Sequence, residues 1–161
     1  MAAQQDKERA MALVEEAMNH QMAGEVDEAI GLYKRSISLY PTADAHTYLG
    51  WAYSFQGRID EAIAQCEMAI QLDPEFGNPY NDIGVYLMQQ QRLDEAIPWL
   101  EKAKHAKRYE PRHFPYLNLG RVYSAKGMLQ KALAEFRDAL RLNPNDSAVA
   151  QLIEELESKL Q

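Results

Sequence analysis

The sequence predicts an all-α protein: an α-solenoid of four helix–turn–helix repeats closed by one further helix. Three recurrences carry that prediction, because a fixed period of 20–50 residues marks a stacked-repeat architecture. Alanines recur at Ala29, Ala62, Ala96 and Ala132, at spacings of 33, 34 and 36. Five residues before each stands a turn position, Gly24, Gly57, Gln91 and Gly127. Another glycine recurs at Gly50, Gly84 and Gly120, and Pro41, Pro74 and Pro144 close three of the units, with Pro111 closing the other slightly late.

The repeats are expected at about 10–42, 43–76, 77–112 and 113–146 within a single domain spanning 1–161. The first unit shows its second helix best, in GEVDEAIGLYKRSISLYP (24–41). In the second, Leu49, Ala52 and Tyr53 recur at helical spacing, Gly57 interrupts, and Ile59, Ala62, Ile63, Cys66, Ala69 and Ile70 resume the pattern. The third and fourth begin near Pro79 and Pro115, where a first helical turn has no use for the missing N–H. Asp27, Asp60 and Asp94 stand where N-caps of the second helices are expected. The small residues let paired helices approach, while Tyr33, Tyr53, Leu100 and Phe136 fill the space beside them. Last, SAVAQLIEELESKLQ (147–161) puts Val149, Leu152, Ile153, Leu156 and Leu160 on one side, as a helix closing the array would.

These residues resemble the tetratricopeptide repeat family, with its pattern W-x2-L-G-x2-Y…A-x3-F…A…P. Leu49, Gly50, Tyr53, Ala62, Ala69 and Pro74 match in the second unit. Leu119, Gly120, Tyr123, Ala132, Phe136, Ala139 and Pro144 match in the fourth. The third keeps Gly84, Ala96 and Ala103, with Leu87 and Leu100 at the aromatic places. The first has Ala17 and His20 for Gly and Tyr, but Ala29, Tyr33 and Pro41 fit. The resemblance implies a right-handed solenoid whose first helices line a concave face, and a non-catalytic scaffold for protein partners.

Composition narrows the function. Seventeen basic against twenty-four acidic residues give a net charge of −7, which argues against a general binder of nucleic acid or anionic membrane. No apolar run approaches the roughly 20 residues of a membrane span. The acidic N-terminus lacks the features of a standard signal peptide. A lone Cys66 excludes an intramolecular disulfide, and a cytoplasmic location is expected. His20, His46, His105 and His113 have no metal-binding spacing, and no nucleophile elbow or phosphate-cradling loop is present. Cys66 falls where paired helices pack, so an inert thiol is expected. No enzymatic activity, cofactor or metal is therefore predicted.

The family's inward-facing positions place a groove on Met18, Met22, Tyr48, Trp51, Phe55, Asn78, Asn81, Asp82, Val85, Met88, Phe114, Asn118 and Arg121. Tyr48, Trp51 and Phe55 would anchor a peptide or protein segment between soft methionine walls. Asn81, Asp82 and Asn118 would hold its backbone, and Arg121 an acidic group. The competing readings are ordinary packing of these side chains, a secretion-type chaperone holding an apolar partner segment, and self-assembly into a homo-oligomer. The carboxylate clamp of chaperone-binding family members is not expected. Its places are taken by Val14, Met18, Tyr48, Asn78 and Asp82, and a frame one unit along offers only Thr47 and Trp51 for the first two. Residues 101–113 carry five basic and two acidic side chains, net +3 against −10 elsewhere. Lys102, Lys104, Lys107 and Arg108 are expected in the last turns of a helix, complementing its dipole, and a second contact site there is the alternative.

Overall fold

The computed structural model describes all residues, Met1–Gln161. Nine helices follow one another: α1 (Ala2–Met22), α2 (Val26–Leu39), α3 (Ala43–Phe55), α4 (Ile59–Leu72), α5 (Asn78–Gln89), α6 (Leu93–Lys104), α7 (Phe114–Ala125), α8 (Leu129–Leu142) and α9 (Ser147–Lys159). The first eight pair as α1–α2, α3–α4, α5–α6 and α7–α8, and α9 lies on α8. None is long and apolar enough to cross a membrane.

Each hairpin turns through one residue in the left-handed region, Gly24 (φ +84°), Gly57 (+75°), Gln91 (+62°) and Gly127 (+75°). Three of the four are glycine, for which that conformation carries no Cβ penalty. Gln91 bears the penalty, so Gln91→Gly is expected to raise stability by about 1 kcal/mol, read as a higher urea midpoint at unchanged m-value.

The small residues make room within the pairs. A Cβ on Gly84 would stand 2.4 Å from a Leu100 methyl, and one on Gly120 2.5 Å from the Phe136 ring. Leu100 and Phe136 are accordingly buried, at 0% and 2% exposure. One core runs through the first three hairpins and reaches Leu119 and Val122. A second joins Leu117, Leu133 and Phe136 to Val149, Ile153 and Leu156 of α9, so the last helix covers an apolar face that the fourth hairpin would otherwise expose.

The aspartates correct the sequence reading. The second helices begin at Val26, Ile59 and Leu93, one residue before them, and their N-caps Glu25, Arg58 and Arg92 make no side-chain cap bond. The left-handed turn already delivers the chain into the helix, so no cap is needed to redirect it. Asp27, Asp60 and Asp94 lie in the first helical turn, where negative charge complements the dipole. They also reach one hairpin onward. The Gln56 amide donates to Asp27 (2.7 Å), the Gln90 amide to Asp60 (3.1 Å), and the Lys126 ammonium bonds Asp94. The side-chain caps are found elsewhere: Thr42 accepts from the Ala45 N–H and Asp146 from that of Val149.

The basic segment is also placed differently. α6 ends at Lys104, so Lys107 and Arg108 are not helical. The surplus residues of this unit instead run back beside the α4–α5 connection. Arg108 N–H donates to the Glu75 carbonyl and Gly77 N–H to the Arg108 carbonyl, both at 2.9 Å, forming a short parallel bridge. The Arg108 guanidinium pairs with Asp73 (3.0 Å) and Asp44 (3.2 Å) and lies over the Phe76 ring. Arg112 donates to the carbonyls of Lys104 and Ala106. Lys104 is enclosed between Glu135 of α8 (2.9 Å), Glu101 (3.2 Å) and the Tyr116 ring. Lys104 and Arg108 thus hold neighbouring hairpins together, Lys107 lies 3.8 Å from Glu75, and Arg112 braces its own connection.

Candidate peptide-binding groove

The curvature follows from which helices touch. α1 contacts α3, α3 contacts α5 and α5 contacts α7, whereas α2, α4, α6 and α8 make no comparable contact with one another. The first helices therefore crowd together and the second helices splay, which makes the first-helix side concave.

On that side, α1 supplies Met18, which is half-buried against the core, and Met22, which is 77% exposed. In α3, the half-buried Tyr48 ring stacks on Tyr33 at 6.2 Å, and Trp51 meets Phe55 edge-on at 5.1 Å. Phe55 is 56% exposed. Tyr48 and Met88 pack against the core, but Trp51 is not among the side chains that do. From α5, Asn78, Asp82, Val85 and Met88 are half-buried. At the far end, α7 carries an exposed Phe114 beside the His113 ring, and an exposed Arg121.

Asn81 and Asn118, expected to hold a ligand backbone, are buried and bonded to each other, with the Asn118 amide donating to Asn81 Oδ1 at 3.0 Å. They occupy facing positions on adjacent first helices that touch, so their first partner is within the fold. Arg121 extends the chain of bonds by donating to Asn118 Oδ1 at 3.5 Å.

Asp82 has a different environment. Burial is the only influence on its carboxyl, which it raises to about 7, and no cation or hydrogen-bond donor counteracts it. Its charge contributes in turn to raising the phenols of Tyr48, Tyr86 and Tyr109, for each of which burial is the larger cause. The Cys66 thiol is wholly buried and is pushed up chiefly by burial, which makes it a poor nucleophile. No group of three or more His, Cys, Asp or Glu side chains is arranged to hold a metal ion.

At the groove's edge lies an open pocket of about 470 Å³, lined by Asp44, Tyr48 and Asn78 together with Phe76, Arg108, Tyr109 and neighbouring loop residues. Phe76, Arg108 and Tyr109 sit on connections outside the helical pattern, so periodicity does not point to them. For Arg108 and Tyr109 the surplus residues in the third unit are the only sequence signal.

A helical-hairpin array with an inward apolar face defines an interaction scaffold. Tetratricopeptide repeat models match residues 1–43, 43–76 and 75–145, and the chain belongs to that family, whose members mediate protein–protein interaction and are generally non-catalytic. It is similar to the type IV pilus assembly protein PilF of Pseudomonas aeruginosa, at 28% identity over 142 residues, covering 86% of this chain and 56% of that protein. The chain thus spans little more than half of that relative. The solved PilF structure superposes with a TM-score of 0.89 at 24% identity, covering 99% of this chain and 71% of the other. PilW, a widely conserved type IV pilus biogenesis factor, gives 0.83 at 17% identity over 92% and 69%. YrrB, a TPR protein with an unusual peptide-binding site, gives 0.69 at 20% identity over 99% and 84%.

Proposed function

We propose that the chain binds a segment of a partner protein in its concave groove, using Trp51 and Phe55 as anchors with Met22 beside them. The observation that carries this reading is the exposure of Met22 and Phe55, with Trp51 edge-on to Phe55 and outside the core cluster. Neighbouring apolar side chains left open on a scaffold mark an interaction site, and aromatic side chains dominate such contacts energetically. The likeness to PilF supports a setting in the assembly of a multi-protein machine, with the groove's occupant one of its components.

The test is a quantitative pull-down from native lysate with wild type and Trp51→Ala, both verified as equally helical by circular dichroism. A protein retained by wild type and lost by the variant supports the groove, and its affinity for purified Trp51→Ala should fall by more than about 2 kcal/mol. The melting temperature should barely move, because the side chain lies outside the core. Equal retention by both proteins, or a large loss of stability in the variant, would refute the assignment.

A further inference from the structure

Resting on that reading, we infer that the bound segment presents a lysine or arginine to the Asp82 carboxylate while its apolar side chains cover the Trp51–Phe55 end. Several other half-buried carboxylates have cationic partners: Asp44 and Asp73 share Arg108, and Glu135 holds Lys104. Asp82 is half-buried on the inward face of α5 and has no such partner.

The nearby cations bond other groups. Arg108, which acts on neighbouring Tyr48, is held by Asp44 and Asp73. Arg112, which acts on neighbouring Tyr109, is held by two backbone carbonyls. Arg121 reaches only the Asn118 amide.

A half-buried carboxylate without a counter-ion or hydrogen-bond donor carries a desolvation cost, and a ligand cation relieves it on binding. The half-buried Tyr48 ring, whose phenol feels the Asp82 charge, adds to the attraction for an ammonium or guanidinium group. One carboxylate does not hold a metal, and the apolar Trp51–Phe55 end of the groove calls for side chains as well as charge. A peptide segment with a basic residue flanked by apolar ones meets both demands, and the chain's net charge of −7 favours its approach.

The experiment is selection of a displayed library of random twelve-residue peptides against the wild-type chain. The strongest binder is then synthesised with a fluorophore and titrated against wild type, Trp51→Ala and Asp82→Asn by anisotropy. Asp82→Asn keeps the side-chain shape and removes a charge that burial disfavours, so it should fold at least as stably as wild type.

The expected result is a consensus with one basic position. Asp82→Asn, or Lys/Arg→Met at that position of the peptide, should each weaken binding at least tenfold, and the two changes together should cost little more than either alone. Apolar peptides without a basic position, lost with Trp51→Ala but indifferent to Asp82→Asn, would overturn the inference and leave the groove reading standing. No enrichment, or peptides indifferent to both variants, would overturn both. Light scattering on the same proteins covers the remaining occupant: a dimer abolished by Trp51→Ala would mean that a second copy fills the groove, and would also overturn the inference.

Discussion

Phe136→Ala is expected to lower stability by about 3–5 kcal/mol, the usual loss for truncating a fully buried phenylalanine. The ring is 2% exposed and fills the space that Gly120 opens on the facing helix. It shares a core with Leu117, Leu133 and Ile153, so its removal loosens α7, α8 and α9 together. Because each repeat of a solenoid contacts only its neighbours, the loss should be local. Hydrogen exchange should show faster amide exchange across 114–159 while α1–α4 retain their protection. A uniform loss along the chain would mean that the array unfolds as one unit.

Lys104→Met is expected to cost about 3 kcal/mol at pH 8, because it strands a carboxylate inside the protein. The side chains of Lys104 and Glu135 are only 10% and 15% exposed, and Glu135 Oε2 is buried without a partner even in the wild type. Burial alone would lower the Lys104 ammonium, but the bonds to Glu135 and Glu101 outweigh it and hold the group protonated. Burial raises the Glu135 carboxyl even with Lys104 beside it, and losing that cation should raise it further. A carboxyl raised in the folded state gives stability that is present at low pH and lost as pH rises through its folded value. The deficit of Lys104→Met should therefore be largest at pH 8 and shrink toward pH 5. Thermal melts across that range check the sign, and Lys104→Met/Glu135→Leu should recover most of the loss. A deficit independent of pH would instead assign it to the lost contact of the ammonium with the Tyr116 ring.

Much of the fold was legible because its contacts lie within one repeat. Gly84 against Leu100 and Gly120 against Phe136 each join two helices of the same hairpin, so the spacing that brings them together recurs along the chain. The turn glycines were legible for the same reason, and so was the closing helix, whose apolar side reads from its own period. The inward positions were legible only as a set of places on the first helices. Their burial was not, since it depends on what the next hairpin puts opposite each one.

The sequence by itself therefore determined the all-α repeat architecture, the places of the four hairpin turns, and the aromatic and methionine content of the first helices. Tertiary structure alone decided the rest. Asp27, Asp60 and Asp94 read as caps until Gln56, Gln90 and Lys126 are seen beside them from the following hairpin. Asn81 and Asn118 read as ligand-holding amides until stacking brings them into contact across 37 residues. Arg108 reads as a helix-end cation until the surplus residues of the third unit carry it back to Asp44 and Asp73. Asp82 becomes distinctive only when every neighbouring cation has been given its partner. Periodicity encodes which face of a helix a residue occupies, because that depends on local geometry. Whether a polar group is satisfied depends on groups distant in the chain, and only the packed array brings those together.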